Sequence, residues 1–257
     1  MTTAPPPPND SVVAVDGIVK RFGERTVLRG LTFGIARGSA TALVGPSGGG
    51  KSTLLRCMTG LEPFDEGSVR VVDATLHGGR TASNAKALHD LRRRSGLVFQ
   101  QWHLFPHMTA LENVVEAPVH VLRRSHAEAR KKAEALLEEV GLAHRMDAMP
   151  RQMSGGEQQR CAIARALAMD PEVLFMDEPT SALDPQRVGD LVDLLLELRK
   201  HASLTLVIVT HEMAFAQRVC DRALVLYEGT VIEDGAPSDV LSNPRDPRTR
   251  SFLGADR

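Results

Sequence analysis

Three cysteines, Cys57, Cys161 and Cys220, are all that the 257 residues hold. They are widely spaced and include no Cys-x-x-Cys pair, which excludes a disulfide framework or a zinc site and leaves buried thiols in a reducing cytosol. There is no excess of either charge: 31 basic side chains nearly cancel 32 acidic ones, for a formal net charge of −1. Nucleic acid is thereby set aside as an obligate partner, because binding its backbone draws on clustered Lys and Arg. Long apolar runs are missing too. The longest, Leu204 to Val209 and Ala223 to Leu226, fall far short of the roughly 18 residues a bilayer span requires, so membrane association has to come through a partner. Met1 to Asp10 has four consecutive prolines but no basic segment and no apolar core. It is therefore not a secretory signal, and residues 1–11 are expected to form a disordered tail. What remains, 12–257, is hydrophobic enough for one large α/β domain with room for an inserted subdomain.

The chain is organised around Gly45-Pro46-Ser47-Gly48-Gly49-Gly50-Lys51-Ser52-Thr53. This fits the pattern G-x-x-x-x-G-K-[ST] and lies between an expected strand, Ser39 to Val44, and an expected helix, Ser52 to Thr59. The glycines let backbone N–H groups turn inward on an anion without Cβ clashes, and the following helix start adds partial positive charge. Lys51 would reach the β- and γ-phosphates of a bound nucleotide, and Ser52 would give its hydroxyl oxygen to Mg²⁺.

Before this loop, Val12 to Arg21, Thr26 to Arg29 and Leu31 to Ala36 read as short strands of an antiparallel sheet, separated by Gly17, Gly23 and Gly30. Phe22 is either a core residue there or a face on which adenine stacks. After the loop, Gly60 caps the helix, Gly67 to Val72 alternates as a half-buried strand, and His77 to Ala87 is polar enough to read as an exposed loop. Leu97 to Phe99 is a buried strand leading to Gln100. Thr109-x-x-Glu112, Ser125-x-x-Glu128 and Ser154-x-x-Glu157 match the capping box that opens helices. Between His126 and Val140, Ala129, Ala133, Leu136, Leu137 and Val140 form one apolar stripe. Roughly Gln101 to Met153 lacks strands and reads as a helical insertion, its subdomain bounded at about 101–160.

Gly155 and Gly156 just inside a helix each cost about 1 kcal/mol, which implies that something must approach the backbone closely, and the helix start beside Ser154 suits an anion. Glu172 to Met176 is an apolar strand running into Asp177-Glu178. Carboxylates at the C-terminal end of a buried parallel strand sit where open α/β sheets bind ligands. Asp177 is placed to hold Mg²⁺ and Glu178 to polarise an attacking water. Asp184-Pro185 opens the next helix, with Val188, Leu191, Val192, Leu195 and Leu198 facing the sheet. His211 follows the strand Leu204 to Val209, in the same spatial class as Asp177. Arg222 to Tyr227 and Thr230 to Glu233 read as a hairpin.

These residues together resemble the ATP-binding subunits of ABC transporters, over about Val12 to Leu253. Gly45 to Thr53 resembles Walker A, Gln100 the Q-loop glutamine, Met153 to Glu157 the signature motif, Val173 to Glu178 Walker B, Ser181 to Asp184 the D-loop and His211 the switch histidine. The stretches Val98 to Val114, Thr210 to Ala216 and Asn243 to Leu253 are similar to the branch that powers polar amino-acid uptake, which includes importers of ectoine-like solutes. The resemblance implies a P-loop NTPase core with an N-terminal antiparallel β subdomain and an inserted α-helical subdomain. It implies ATP and Mg²⁺, with Phe22 stacking on adenine where Tyr is usual, and Gln100 touching Mg²⁺ or the attacking water. It also implies a head-to-tail pair of subunits, a homodimer, in which each ATP lies between 45–53 of one copy and Ser154, Gly155, Gly156 and Glu157 of the other, while Asp184 communicates between copies. A separate membrane permease, fed by an extracytoplasmic solute-binding protein, would hold the pair at the cytoplasmic face of the membrane. Two departures stand out: Met153 replaces the usual Leu, and Glu157 stands where Gln is commonest, adding repulsion if it faces the phosphate. The rival readings are an exporter, an ABC-type ATPase working on DNA or ribosomes, and a soluble P-loop kinase. The second usually carries paired ATPase domains, coiled-coil or zinc insertions or basic extensions, and the signature and D-loop oppose the third.

Overall fold

Alternating apolar residues make the first half of the chain pair with itself. Ser11–Phe22 (β1) and Arg25–Ala36 (β2) form a long antiparallel hairpin in the computed structural model, which describes residues 10–79, 83–201 and 204–254. The expected proline tail lies, through residue 9, outside the described residues. Two strands were expected on either side of Gly30; there is one. Gly30 takes φ +74 where the register shifts between the pairs Ile18↔Leu31 and Val19↔Arg29. The glycine thus bends the strand as a bulge and does not end it.

The chain then enters a second sheet as Ala40–Val44 (β3), turns through the glycine loop into Lys51–Met58 (α1), and returns to the first sheet as Glu66–Val71 (β4) and Ala74–His77 (β5). The first sheet has the order β2-β1-β4-β5. The expected exposed loop at 77–87 is mostly something else. Ser83–Arg94 is a helix (α2) that buries Leu91 and packs Ala87 and Leu88 on the core, its start tied to β5 by Asn84, which bonds the backbone N–H and C=O of His77. Residues 80–82 of that loop lie outside the described residues.

Ser95–Val98 (β6) is the outer strand of the second sheet. It starts and ends earlier than the expected 97–99. Three α-helices follow with no strand among the described residues from 101 to 153: Ala110–His120 (α3), His126–Glu139 (α4) and, past Met153, Gly155–Leu167 (α5). Leu111, Val114, Ala129, Ala133, Leu137, Val140, Met153 and Cys161 close a separate small core between them, with Leu136 half-buried at its edge. All three capping boxes are present, each worth about 1 kcal/mol to its helix. Fully buried Asn113 accepts from Phe105 N–H at 2.7 Å and donates to the carbonyls of Phe105, Met108 and Thr109, fastening the 105–109 segment onto α3.

Val173–Asp177 (β7), Pro185–His201 (α6), Thr205–Val209 (β8), Met213–Val219 (α7) and the hairpin Arg222–Tyr227 (β9) and Thr230–Gly235 (β10) complete the second sheet, with Pro237–Ser242 (α8) and Pro247–Leu253 (α9) behind them. Its order is β10-β9-β3-β8-β7-β6, parallel throughout except for the β10 edge. Strands β3, β7 and β8 are buried at every residue, as a sheet covered on both faces requires. The cysteines are free and buried, and burial pushes each thiol up to about 12.

Candidate functional site

The register of the parallel strands decides which residues meet. Leu43 of β3 and Asp177 of β7 both oppose Val209 of β8, and Val98 of β6 opposes Met176. The glycine loop, Asp177-Glu178, His211 and Gln100 therefore leave the sheet at one level, at the carboxyl ends of neighbouring strands. Hydrogen bonds stitch the ends together: Thr210 N–H to Leu43 O at 3.2 Å and Glu178 N–H to Val209 O at 2.9 Å.

The loop itself needs its glycines. Gly45 has φ +141, and a Cβ there would lie 2.1 Å from Leu226 O; at Gly49 it would lie 3.0 Å from the same oxygen, and at Gly50, with φ +101, 3.0 Å from Leu28 Cδ2. Pro46, Ser47 and Gly48 form the outer rim. Lys51 is buried and folds back so that Nζ donates to Gly45 O at 2.7 Å and Pro46 O at 2.9 Å. Burial lowers its pKa against the pull of Glu178 and Asp177. Ser52 Oγ donates to Asp177 Oδ1 at 3.1 Å, and burial raises the Asp177 pKa while Ser52, Arg56 and Lys51 oppose the shift. Thr53 is half-buried in the first turn of α1. A buried carboxylate and a hydroxyl facing each other beside a phosphate loop fit Mg²⁺, which takes few protein ligands and completes its shell with phosphate and water.

Glu178 adopts a left-handed backbone, φ +48, at a cost of about 1–2 kcal/mol for a side chain of this kind. Its backbone is held from both sides, since Ser181 N–H and Oγ donate to its carbonyl at 3.2 and 3.0 Å. The carboxylate Oε2 stands 3.4 Å from His211 Nδ1. A half-buried carboxylate and an exposed imidazole at the lip of a phosphate loop can take a proton from water and hold what results. Gln100 is exposed two residues past Val98, level with Glu178. Phe22 is 49% exposed at the end of β1, with Lys20 Nζ 4.4 Å from its ring centre. It is not a core residue: half of its surface is exposed, with the Lys20 ammonium over the ring.

Ser154, Gly155, Gly156 and Glu157 belong to a different neighbourhood. Ser154 caps α5, and the polar contacts of this turn among the described residues run to Arg145, Gln158 and Arg187, with His144 more distant; none runs to residues 45–53. What approaches the two glycines within this chain is also visible. A Cβ on Gly155 would lie 3.0 Å from Trp102 Cη2, and one on Gly156 3.2 Å from Arg187 Nη1. Glu157 turns inward: Oε2 accepts from Ser154 N–H at 2.7 Å and Oε1 from Arg145 Nε at 2.9 Å. Those bonds, the backbone one foremost, hold its carboxyl below the usual range despite burial.

Three arginines at this site belong to no motif of the sequence. Arg187 joins Ser154 to Asp184, Arg145 neutralises Glu157, and Arg165 donates from Nη2 to Trp102 O and Nη1 to His103 O at 2.8 and 2.7 Å. Only the first left a signal, the Asp184/Arg187 spacing on one helix turn. Trp102 itself is half-buried against the core that holds Ala162, Ile163 and Ala166 of α5, while Phe105 is 41% exposed.

Known proteins resemble this chain over most of its length. A family model described as ABC transporter matches residues 28–181. The L-cystine import ATP-binding protein TcyC of Bacillus subtilis is 46% identical over 242 residues, covering 94% of this chain and 97% of its own. The arginine transport ATP-binding protein ArgV of Corynebacterium glutamicum is 45% identical over 244 residues, covering 93% and 95%. Among solved structures, CbiO1 from Clostridium perfringens, part of the ABC transporter complex CbiONQ, superposes with a TM-score of 0.82 at 30% identity, covering 96% of this chain and 98% of its own. The dimeric post-hydrolysis state of the ATP-binding cassette MJ0796, bound to ADP and phosphate, gives 0.77 at 33% identity, covering 88% and 98%.

Proposed function

Because the chain belongs to the ABC transporter family, we propose that it is the ATP-hydrolysing subunit that powers import of a polar amino acid or related small solute through a separate membrane permease. The reading is carried by one observation: Lys51, Ser52, Asp177, Glu178 and His211 converge at one end of the parallel sheet. That relatives named for cystine import and for arginine and glutamine transport span this chain supports the polar amino-acid class and disfavours the DNA, ribosome and exporter alternatives.

Phosphate oxygens take the place of Gly45 O and Pro46 O as acceptors for Lys51 Nζ, and the inward-facing amides of the loop bind the rest of the triphosphate. Ser52 and Asp177, with Gln100 alongside, would hold Mg²⁺, which when bound offsets the charge on the β- and γ-phosphates. Glu178 accepts a proton from the water that attacks the γ-phosphate, and His211 beside it steadies the charge of the reacting group. ADP and phosphate leave. Phe22 receives the adenine ring. The Ser154–Glu157 turn makes no contact with its own phosphate loop and so serves the ATP of a second copy, a homodimer arrangement that the dimeric cassette MJ0796 supports. Among the described residues no helix is long and apolar enough to cross a membrane. In this reading the permease holds the dimer at the cytoplasmic face, and a solute-binding protein meets the permease on the far side.

The test pairs two variants, with nucleotide binding measured on the free chain and turnover and uptake measured on the protein reconstituted with its permease in liposomes. Lys51→Ala should lose nucleotide binding and uptake together. Ser154→Arg should lose ATP turnover and uptake but keep nucleotide binding by the monomer. Equal loss of nucleotide affinity in both variants would overturn the shared site.

A further inference from the structure

We propose that Arg187 is a positioning residue of the shared site: it holds the Ser154 hydroxyl as a hydrogen-bond donor toward the γ-phosphate of the second copy's ATP. The proposal rests on the two-copy reading above.

Three capping boxes with a hydroxyl at the N-cap and a glutamate at N3, found among the described residues, provide an internal comparison. In two of them the hydroxyl spends its proton on its own glutamate, Thr109 Oγ1 donating to Glu112 Oε2 at 3.0 Å and Ser125 Oγ to Glu128 Oε2 at 2.7 Å. The third is built differently. Glu157 Oε1 is drawn onto Arg145 Nε, and the shortest hydrogen bond of Ser154 Oγ is one it accepts, from Arg187 Nη1 at 2.9 Å. The Glu157 N–H occupies the other acceptor position at 3.4 Å. A hydroxyl has two acceptor positions and one proton; with both positions filled, the proton is claimed within the chain only by the Glu157 carboxylate, whose bond to Arg145 outweighs its contact with this hydroxyl, so the proton can turn to a phosphate. A phosphate oxygen at neutral pH accepts and does not donate, and a fixed donor is what it needs.

The guanidinium is itself anchored. Its Nε is ion-paired with Asp184 Oδ2 at 3.1 Å, while Asp184 Oδ1 caps Arg187 N–H at 3.1 Å. Gly156 is the other half of the device, because a Cβ there would stand 3.2 Å from Nη1 and 3.4 Å from Cδ of the arginine. One of the two unfavourable glycines in this helix start is thus accounted for by the arginine that leans over it. The same bridge links Ser154 to Asp184, so a shift of the 181–184 segment on dimer contact is transmitted to the serine.

The experiment uses the full chain in a Glu178→Gln background, in which ATP-driven dimers accumulate without turnover, and follows dimerisation by sedimentation as ATP is raised. Arg187→Ala should leave monomer binding of a fluorescent ATP analogue within about twofold yet raise the ATP needed for dimerisation by about tenfold or more. With Glu178 restored, it should lower kcat by a similar factor with KM little changed. Arg187→Lys should recover part of the loss. In Ser154→Ala, adding Arg187→Ala should cost nothing further, because the arginine acts through the hydroxyl. Dimerisation of Arg187→Ala at equal or lower ATP would make the arginine a latch that ATP must break, and additive losses with Ser154→Ala would make it an independent contact; either overturns the proposal. If the Glu178→Gln protein with Arg187 intact does not dimerise with ATP, the two-copy reading fails first.

Discussion

His211 Nδ1 stands 3.4 Å from Glu178 Oε2, although the two residues come from different strand ends and the glutamate pays for its place with a left-handed backbone. The bonds from Glu178 N–H to Val209 O, and from Ser181 to Glu178 O, keep that conformation when the side chain changes. Glu178→Gln should accordingly fold and bind ATP as before, with kcat reduced by about a hundredfold or more through loss of the proton acceptor. His211→Ala should lower kcat with little change in KM, and the double variant should be no slower than Glu178→Gln alone. Steady-state hydrolysis by the three variants decides it, and near-normal turnover in Glu178→Gln would sink the assignment of the base.

Gly45 is closed against the backbone of β9, not against a side chain that can turn away. A Cβ 2.1 Å from Leu226 O, combined with φ +141, requires a strand of the central sheet to move. Gly45→Ala should destabilise the protein by about 2–5 kcal/mol. Gly38→Ala, with φ +72 but nothing within 4 Å of the added carbon, should cost only about 1–2 kcal/mol. Urea denaturation of both, compared with the parent, reads the difference; equal losses would remove the clash from the argument.

The phosphate loop, the strand ends that carry Asp177 and His211, and the three capped helices were all legible because each rests on neighbours in sequence. A buried strand announces itself by a run such as Leu204 to Val209, and a capping box by a spacing of three. What local pattern did not show is of two kinds. Gly30 reads as a break but is a bulge, because only the partner strand reveals that pairing resumes beyond it. Helix α2 was hidden by its basic last turn and by an apolar face of only Ala87, Leu88 and Leu91. The arginines are the other kind. Arg145 and Glu157, or Arg187 and Ser154, are brought together by the packing of separate elements, which no periodicity records.

Glu157 answers a question its residue type raised. Its carboxylate faces Ser154 N–H and Arg145, with His144 Nε2 at 3.9 Å, and so does not aim charge outward at a phosphate. Glu157→Gln should keep ATP-driven dimerisation essentially unchanged. Because the folded-state pKa lies below the ordinary 4.5, the ionised carboxylate stabilises the fold above that pH, and the contribution is lost as pH falls through the lowered value. The stability difference between parent and Glu157→Gln should be full at pH 7 and shrink as pH falls from the ordinary 4.5 through the lowered value. A difference that does not shrink at all as pH falls below the ordinary 4.5 would place the stabilisation elsewhere.

Arg165 holds the segment after Gln100 in a shape that segment would not keep alone. Trp102 and His103 have φ +58 and +44, two consecutive left-handed residues without glycine, and their carbonyls both accept from this one guanidinium. The same group lies 5.7 Å from the centre of the Phe105 ring, and burial lowers its pKa without threatening its charge. A lysine reaches as far but lacks the planar fork that meets two carbonyls at once. Arg165→Lys should therefore lose one charge-assisted bond, about 1–3 kcal/mol, and lose it locally. Amide exchange should quicken at 101–105 while exchange in β3 and α1 stays slow, and nucleotide affinity should match the parent. In liposomes with the permease, the variant should hydrolyse ATP with less uptake per ATP, because the strained segment joins the strand end at Gln100 to the Gly155 turn through Trp102. Unchanged exchange at 101–105 would show that Asn113, which fastens the far end of the segment, suffices to hold it.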